Sequence, residues 1–329
     1  MSPPPPPIDL RLKPDELAVV TLCGLREYDK GYANTCLATW DRLKTPHRRY
    51  CVNDGTLGDE HRGWFEKYGI ELIDHATLEP WVLEQLRDYP TLVEMRKRVP
   101  MYRKLVDVPR LFANHDRVLF VDTDILYTGP LRVPEPTPDV AYGMDDSIGY
   151  SGSWRLAYRD PMIVGLNSGF MLYPPRVVDL DMLERYARKY VFRAATPWLT
   201  EQTTWGAVAA DQPKPRRFTG EQYRVLGGFR KRKRDDILNN RFVWVGDKSQ
   251  IDNEQEMLDL ARGGRVLHIA GMGKRWYEAI ATLCDDALPE VTLDLIDAPL
   301  MTAGDRAKLA SRLFTGGVVQ KARAAIKGR

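Results

Sequence analysis

The chain has 329 residues with 43% hydrophobic content, enough to bury a large core as one big α/β domain or two smaller ones. Its 48 basic and 45 acidic residues leave a formal charge of +3, too balanced for a general nucleic-acid binder, so any basic patch must be local. No run of about 18 apolar residues occurs, no charged region followed by an apolar one opens the chain, and Cys23, Cys36, Cys51 and Cys284 show no paired metal-ligand spacing. A soluble, cytoplasmic protein with free thiols is expected.

Five prolines, Pro3 to Pro7, favour a solvated polyproline II arm, so residues 1–16 are expected to be a disordered leader. Leu17 to Cys23 (LAVVTLC) reads as the first strand, followed by a polar turn through Tyr28 and Gly31. A helix is expected over Ala33 to Leu43, where Cys36, Leu37, Trp40 and Leu43 stand near helical spacing. Arg49 to Asn53 is a second strand closed by Asp54-Gly55, His61 to Tyr68 a second helix, and Ile70 to Ile73 a third strand. This alternation predicts a Rossmann-like α/β fold, a mostly parallel central sheet with helices on both faces. Pro90 to His115 reads as helical, interrupted by Pro100 and Pro109. Its bases Arg96, Lys97, Arg98 and Arg103 are expected to form mainly a solvated face, while Lys104 could turn its ammonium toward a phosphate.

The centre of the chain is RVLFVDTDILY, Arg117 to Tyr127, in which the buried strand Val118 to Val121 runs into Asp122 and Asp124. In extended backbone those acids point the same way at the strand's carboxyl end, where open α/β sheets bind ligands. Two converging carboxylates repel one another unless a divalent cation lies between them, and Mg²⁺ or Mn²⁺ would bring a substrate's phosphates with it. The plainer reading is a polar turn with solvated acids.

After a proline-rich loop, Pro130 to Pro138, comes a short strand from Val140 to Gly143 that ends in Asp145-Asp146. The apolar run Met162 to Tyr173 is broken by Asn167-Ser168-Gly169, to be accounted for by a structural bulge or by a ligand contact. A helix is expected from Pro175 to Tyr190. Thr200 can cap a further helix carrying Glu201 and Gln202 in its first turn, where an acid ordinarily just complements the dipole. Arg230 to Arg234 reads as a solvated loop. The last strand, Arg265 to Ile269, carries His268, a type of position where histidine is more often structural than a ligand. It leads through Gly271 and Gly273 to Lys274, a glycine-spaced turn suited to close approach by phosphate. Residues 286–329 are expected to form a basic amphipathic tail. After Asp305 it holds Arg306, Lys308, Arg312, Lys321, Arg323, Lys327, Arg329 and no acid, and Gly316-Gly317 should split it into two short helices. Such a tail is either a disordered or core-docked end, or a peripheral contact with an anionic membrane.

Taken together and in this order, Asp122-Thr123-Asp124, Asn167-Ser168-Gly169-Phe170, Glu201-Gln202 and HIAGMGKRW from His268 to Trp276 resemble the retaining family 8 glycosyltransferases, which include glycogenin and the lipopolysaccharide galactosyltransferases. The segment VVTLCGLREYDKGY is similar to the one by which those enzymes hold uridine, so the resemblance spans roughly residues 17 to 280. It implies a GT-A fold over residues 17–285 and a nucleotide-sugar donor, UDP-glucose or UDP-galactose. It also implies a glycan, lipid-linked or protein acceptor, and Mn²⁺, with Mg²⁺ the alternative ion. By position it makes Asp122, Asp124 and His268 metal ligands, Lys274 a diphosphate contact, and Asp145, Asn167 and Gln202 neighbours of the donor sugar. Thr21, Leu22, Tyr28, Lys104, Thr123, Ser168, Gly169 and Gly271 complete the expected donor site, and Gln202, Glu201 and Asp145 are the catalytic candidates. The chain departs from the pattern at Arg275, in place of a proline, at Glu201, in place of aspartate, and at Leu25, where a polar nucleotide contact would be expected.

A haloacid-dehalogenase-type phosphatase also places Asp-x-Asp after a strand but wants threonine or valine where Leu126 stands. The DGTL at Asp54 to Leu57 imitates that motif too, with Val52 at the nucleophile's position. A nucleotidylyltransferase would need a glycine-rich basic loop that CGLREYDKG lacks. A non-catalytic nucleotide-sugar-binding or interaction protein is the alternative from another class.

Overall fold

All seven residues of Leu17–Cys23 are buried, and they divide between two cores. Ala18, Val20 and Leu22 enter one apolar cluster, Leu17, Val19 and Cys23 the other, as side-chain alternation requires of a strand covered on both faces. The structure, a computed structural model, describes residues 10, 12–13, 16–135, 138–145, 149–194, 199–228, 250–285 and 287–327, with backbone alone for 317–327. Pro3 to Pro7, Asp146 and the run Arg230 to Arg234 lie outside the described residues.

The strands are β1 (Leu17–Cys23), β2 (His47–Asn53), β3 (Ile70–Ile73), β4 (Val118–Val121), β5 (Ile125–Tyr127), β6 (Leu131–Arg132), β7 (Val140–Met144), β8 (Leu166–Tyr173), β9 (Pro215–Phe218), β10 (Tyr223–Val225), β11 (Val266–His268), β12 (Val291–Thr292) and β13 (Leu295–Asp297). Eight of them build the main sheet in the order β13-β9-β7-β8-β4-β1-β2-β3. β1 is parallel to β2 and β4, β2 to β3, and β7 to β9, while β8 runs against β4 and β7 and β13 against β9. The sheet is therefore mostly parallel, with helices on both faces. A second, three-stranded sheet, β10-β11-β5, takes up the chain directly after β4, through β5. β12 pairs with β6.

Several expectations are corrected. Arg96, Arg103 and Lys104 are buried, so they do not form a solvated face; only Lys97 and Arg98 stay in water. Arg96 is held by Asp107 at 2.6 and 2.7 Å and by Glu79 at 2.9 and 2.7 Å, and Arg103 reaches Glu79 at 3.3 Å. Glu79 comes from helix His75–Gln85, an element that the sequence reading passed over and that brings the missing acid. Pro109 sits inside helix Arg103–Leu111 and does not interrupt it. Thr200 is the first residue of helix Thr200–Ala210 and not its cap, a place taken by Leu199 without a side-chain bond. β11 is not the last strand, because β13 closes an edge of the main sheet. Basic helix begins only at Ala303, and it runs as one element, Ala303–Lys327, straight through Gly316-Gly317. Leu309 and Ala310 anchor its first turns in the core cluster, while Gly316 is exposed with open space around it, so the helix continues there without packing to support it.

Candidate functional site

β4 delivers its last residue, Val121, to the edge of a cleft, and the next three residues turn. Asp122 donates its N–H to Gly169 O at 2.8 Å, and Ile125 N–H returns to Asp122 O at 3.1 Å. Asp122 and Asp124 thus converge through a turn, not through the alternation of extended backbone. Past the turn, β5 pairs antiparallel with β11 so that Ile125 faces His268, and Ile269 N–H bonds Asp124 O at 2.9 Å. This register sets His268 beside an aspartate that precedes it by well over a hundred residues. One ligand atom from each of Asp122, Asp124 and His268 lies within 4.8 Å of the others.

Each acid has its own cation. Lys104, fully buried, meets Asp122 Oδ1 at 2.5 Å, and Lys274 Nζ meets Asp124 Oδ2 at 2.8 Å. Burial would raise the Asp124 carboxyl, but His268 and Lys274 hold it well below the usual carboxylate range. Burial would lower His268, and the neighbouring Asp124 carboxylate raises it instead. The His268 Nε2 to Asp124 Oδ1 approach is 3.2 Å, yet that buried oxygen has no hydrogen-bond partner. A buried carboxylate oxygen left open beside an imidazole and a second carboxylate is a donor set that fits a divalent cation.

A polar layer supports the histidine. Asn167 Oδ1 accepts from Tyr223 OH at 2.9 Å and from Gly169 N–H at 3.0 Å, and lies 2.9 Å from His268 Nδ1. With the Nδ1 proton on that bond, Nε2 would have its lone pair free for a cation held between it and the aspartates, the second-shell arrangement common to histidine ligands. The break in β8 is thereby both a bulge and part of the site: the β7 register jumps between Tyr142/Met171 and Gly143/Asn167. Gly169 is demanded by packing, since a Cβ there would come within 2.6 Å of His268 Cε1. Ser168 Oγ donates to Glu201 Oε2 at 2.8 Å, while Glu201 Oε1 is buried without a partner. Burial pushes the Glu201 carboxyl up to about 7, against the pull of Lys104 and Ser168.

The cleft beside this cluster measures about 380 Å³ and is bounded by Asp122, Thr123, Asp124 and Lys274 on one side, and by the Gly24 turn and Val99-Pro100-Met101 on others. Tyr32 offers it an aromatic ring, over which Lys274 Nζ sits 4.2 Å from the centroid. The structure brings Leu22, Thr123 and Lys274 to this cleft, but Thr21 is fully buried and Tyr28 packs edge-on against His61 and Trp64. Lys104 reaches Asp122 and not open cleft. Gly271, at φ +49°, starts the short turn to Trp276 that presents Lys274. Gln202 donates to Gly149 O at 2.9 Å, and Asp145, at the end of β7, is fastened by its N–H to Gly165 O at 2.8 Å. Tyr223 and Tyr32 escaped the sequence reading. Tyr32 had a signal, an aromatic directly after Gly31 in the segment compared with uridine-binding ones, whereas Tyr223 lies on a three-residue strand that carries none.

No protein-family model matches the chain, and no curated protein sequence does. Among solved structures it is similar to mouse xyloside xylosyltransferase 1, apo form, at 12% identity and TM-score 0.45, covering 77% of this chain and 97% of that one. It is also similar to the apo glycosyltransferase GlyE of Streptococcus pneumoniae, at 13% and 0.45, covering 92% and 64%. A third is the galactosyltransferase LgtC in complex with donor and acceptor sugar analogs, at 11% and 0.44, covering 83% and 98%. At such scores and identities the likeness carries no argument about activity, which rests on the side chains of this chain alone.

Proposed function

We propose that this chain is a metal-dependent retaining glycosyltransferase of the GT-A type, moving a hexose from a nucleoside diphosphate sugar, with UDP-glucose or UDP-galactose the expected donor, to a glycan, lipid-linked or protein acceptor. The observation that carries the reading is the meeting of Asp122, Asp124 and His268 within 4.8 Å at the wall of a cleft. Mn²⁺, or Mg²⁺ in its place, held by these three residues would supply a Lewis acid to the diphosphate oxygens.

The rest of the chemistry falls to the chain. Lys274 is the cation of the cluster that also borders the cleft, and it serves to stabilise negative charge gathering on the departing diphosphate. Lys104 holds Asp122 in place through their ion pair. Asn167 holds the His268 ring by its Nδ1 edge. Leu22 and the edge of Tyr32, whose ring lies under the Lys274 ammonium, line the part of the cleft assigned to the nucleobase. Gln202, Asn167 and Asp145 are assigned to the sugar end. Glu201 keeps its proton to about pH 7 and is tied to Ser168, which makes it a poor nucleophile. That supports front-face substitution, in which the leaving phosphate takes the proton of the incoming hydroxyl, over a covalent glycosyl intermediate on Glu201, and leaves Asp145 as the carboxylate on which the covalent alternative would form.

Incubation with a panel of radiolabelled nucleotide sugars and Mn²⁺ tests the proposal. Nucleotide release from one donor, abolished by EDTA and restored by Mn²⁺, is the expected result, with the anomeric configuration retained in the product by NMR. Absence of release from every donor, together with no Mn²⁺ binding, overturns it; an inverted product removes the retaining part.

A further inference from the structure

The helix Trp154–Arg159 and the basic helix Ala303–Lys327 pack along one another. Their facing sides are spent on the core: Leu156, Ala157, Leu309 and Ala310 are buried, and Leu313 packs against the same cluster. Their outer sides are unusual for a protein surface. Of the large apolar side chains exposed among the described residues, Trp154 (40%), Tyr158 (70%), Leu300 (49%) and Phe314 (59%) all lie on these helices or on the approach to the second. Isolated exposed apolar residues need no explanation, but a group on two mutually packed helices does. Trp154 and Tyr158 stand one helical turn apart with ring centroids 6.2 Å apart, edge to face. The Arg155 guanidinium lies 5.7 Å from the Trp154 ring.

Charge identifies what such a surface fits. Arg155, Arg159, Lys308 and Arg312 are exposed on the same two helices, with Arg306 half-buried, and the acids at their ends are Asp160 and Asp305. The Asp305 carboxylate is engaged by Thr302, through its N–H at 3.1 Å and its hydroxyl at 2.7 Å. Beyond Asp305 the sequence adds Lys321, Arg323, Lys327 and Arg329 without one acid. Tryptophan and tyrosine prefer the boundary between apolar chains and headgroups, and arginine and lysine reach the phosphates above it. A polyanion such as RNA or heparin would use the bases but would leave the aromatic and leucine side chains in water.

We propose that the outer face of these two helices docks on an anionic lipid bilayer, with Trp154, Tyr158 and Phe314 entering the interface and the surrounding arginines and lysines binding the headgroups. The chain runs from Asp145, assigned above to the sugar end, through Gly149, which accepts a bond from Gln202, and Ser151, which is bonded to Thr203, into Trp154. Docking would thus seat the membrane next in sequence to the site. The docking itself does not depend on glycosyl transfer.

Sedimentation of the full chain with vesicles, without donor or metal, tests it. Binding is expected to vesicles of phosphatidylcholine doped with phosphatidylglycerol, weak to phosphatidylcholine alone, and weakened by salt. The triple variant Trp154→Ser/Tyr158→Ser/Phe314→Ser and the charge variant Arg155→Gln/Arg159→Gln/Lys308→Gln should each lose about tenfold or more in partitioning. Tyr158→Ser alone, at the most exposed of these positions, guards against misfolding and should lose several-fold, with an unchanged melting curve. Failure of the unmodified chain to bind the anionic vesicles overturns the proposal, as does equal binding by all variants. Heparin binding without vesicle binding overturns it in favour of a polyanion. Loss of binding only when residues 317–329 are removed, with the surface variants unaffected, also overturns it. Nucleotide release in solution should be unchanged in every surface variant, so failure here and failure of the transferase reading are separate outcomes.

Discussion

Two clusters of buried charge both draw on helix Arg103–Leu111, the first through Arg103 and Asp107 and the second through Lys104. In the first, Arg96, Arg103, Glu79 and Asp107 tie three helices together, and the fully buried Asp107 is matched by two charge-assisted bonds from Arg96. In the second, Lys104, Asp122, Asp124, His268 and Lys274 meet at a cleft, and Asp124 Oδ1 is left without a hydrogen-bond partner. The first satisfies all four carboxylate oxygens of Glu79 and Asp107 from Arg96, and its open atom, Arg103 Nε, is a donor that cannot ligate a cation. The second is incomplete and opens to solvent through Lys274 and Asp122. Burying ions is costly in both places; in the first the acids recover that cost from their arginines, and in the second one carboxylate oxygen stays open at the cleft. The difference teaches that a partly satisfied cluster at a cleft, more than the mere presence of buried charge, marks a site for a ligand.

The comparison breaks if the two clusters respond alike to mutation. The largest effect is expected from Asp124→Asn, which should lower transferase turnover about a thousandfold, several kcal/mol of transition-state stabilisation, with the circular dichroism spectrum intact. Next, Arg96→Met strands Asp107 in the core and should cost about 3–5 kcal/mol in urea denaturation, with no change in Mn²⁺ affinity of the folded protein. Should Asp124→Asn destabilise as much as Arg96→Met, the distinction fails.

Glu201 sharpens the comparison through pH. Its carboxyl titrates at about 7 when folded against 4.5 as an ordinary glutamate, so the folded chain keeps a proton that the unfolded chain gives up. The stability this contributes is complete below about pH 4.5 and is lost as pH rises to about 7, by roughly 3 kcal/mol at 1.36 kcal/mol per unit. Glu201→Gln should flatten that part of the stability profile, measured by denaturation across the range. An unchanged slope would mean that Glu201 ionises normally. The smallest effect is expected for Tyr223→Phe, which removes one of the bonds on Asn167 Oδ1. It should cost about 1 kcal/mol of stability and at most about tenfold in Mn²⁺ affinity, read by calorimetric titration.

By itself the amino-acid order determined the local elements and the chemistry they could carry. β1 and β3 have the bounds that their mainly apolar runs, broken only by Thr21 and Glu71, indicate, and β4, four apolar residues in a row, ends where the acids begin. The mostly parallel sheet followed from strands alternating with helices. Short strands such as β5, β10 and β13 carry no periodicity of their own and form only because another strand is there to pair with. The burial of Arg96 and Lys104 was illegible for a related reason: a charged residue is buried only when an opposite charge arrives from elsewhere, here Glu79, Asp107 and Asp122. His268 read as structural from its own neighbours, and only the antiparallel register of β5 on β11 puts its ring beside Asp124. Side-chain identity and local period are written along the chain; the meeting of groups distant in sequence depends on pairing and packing, which are properties of the folded whole.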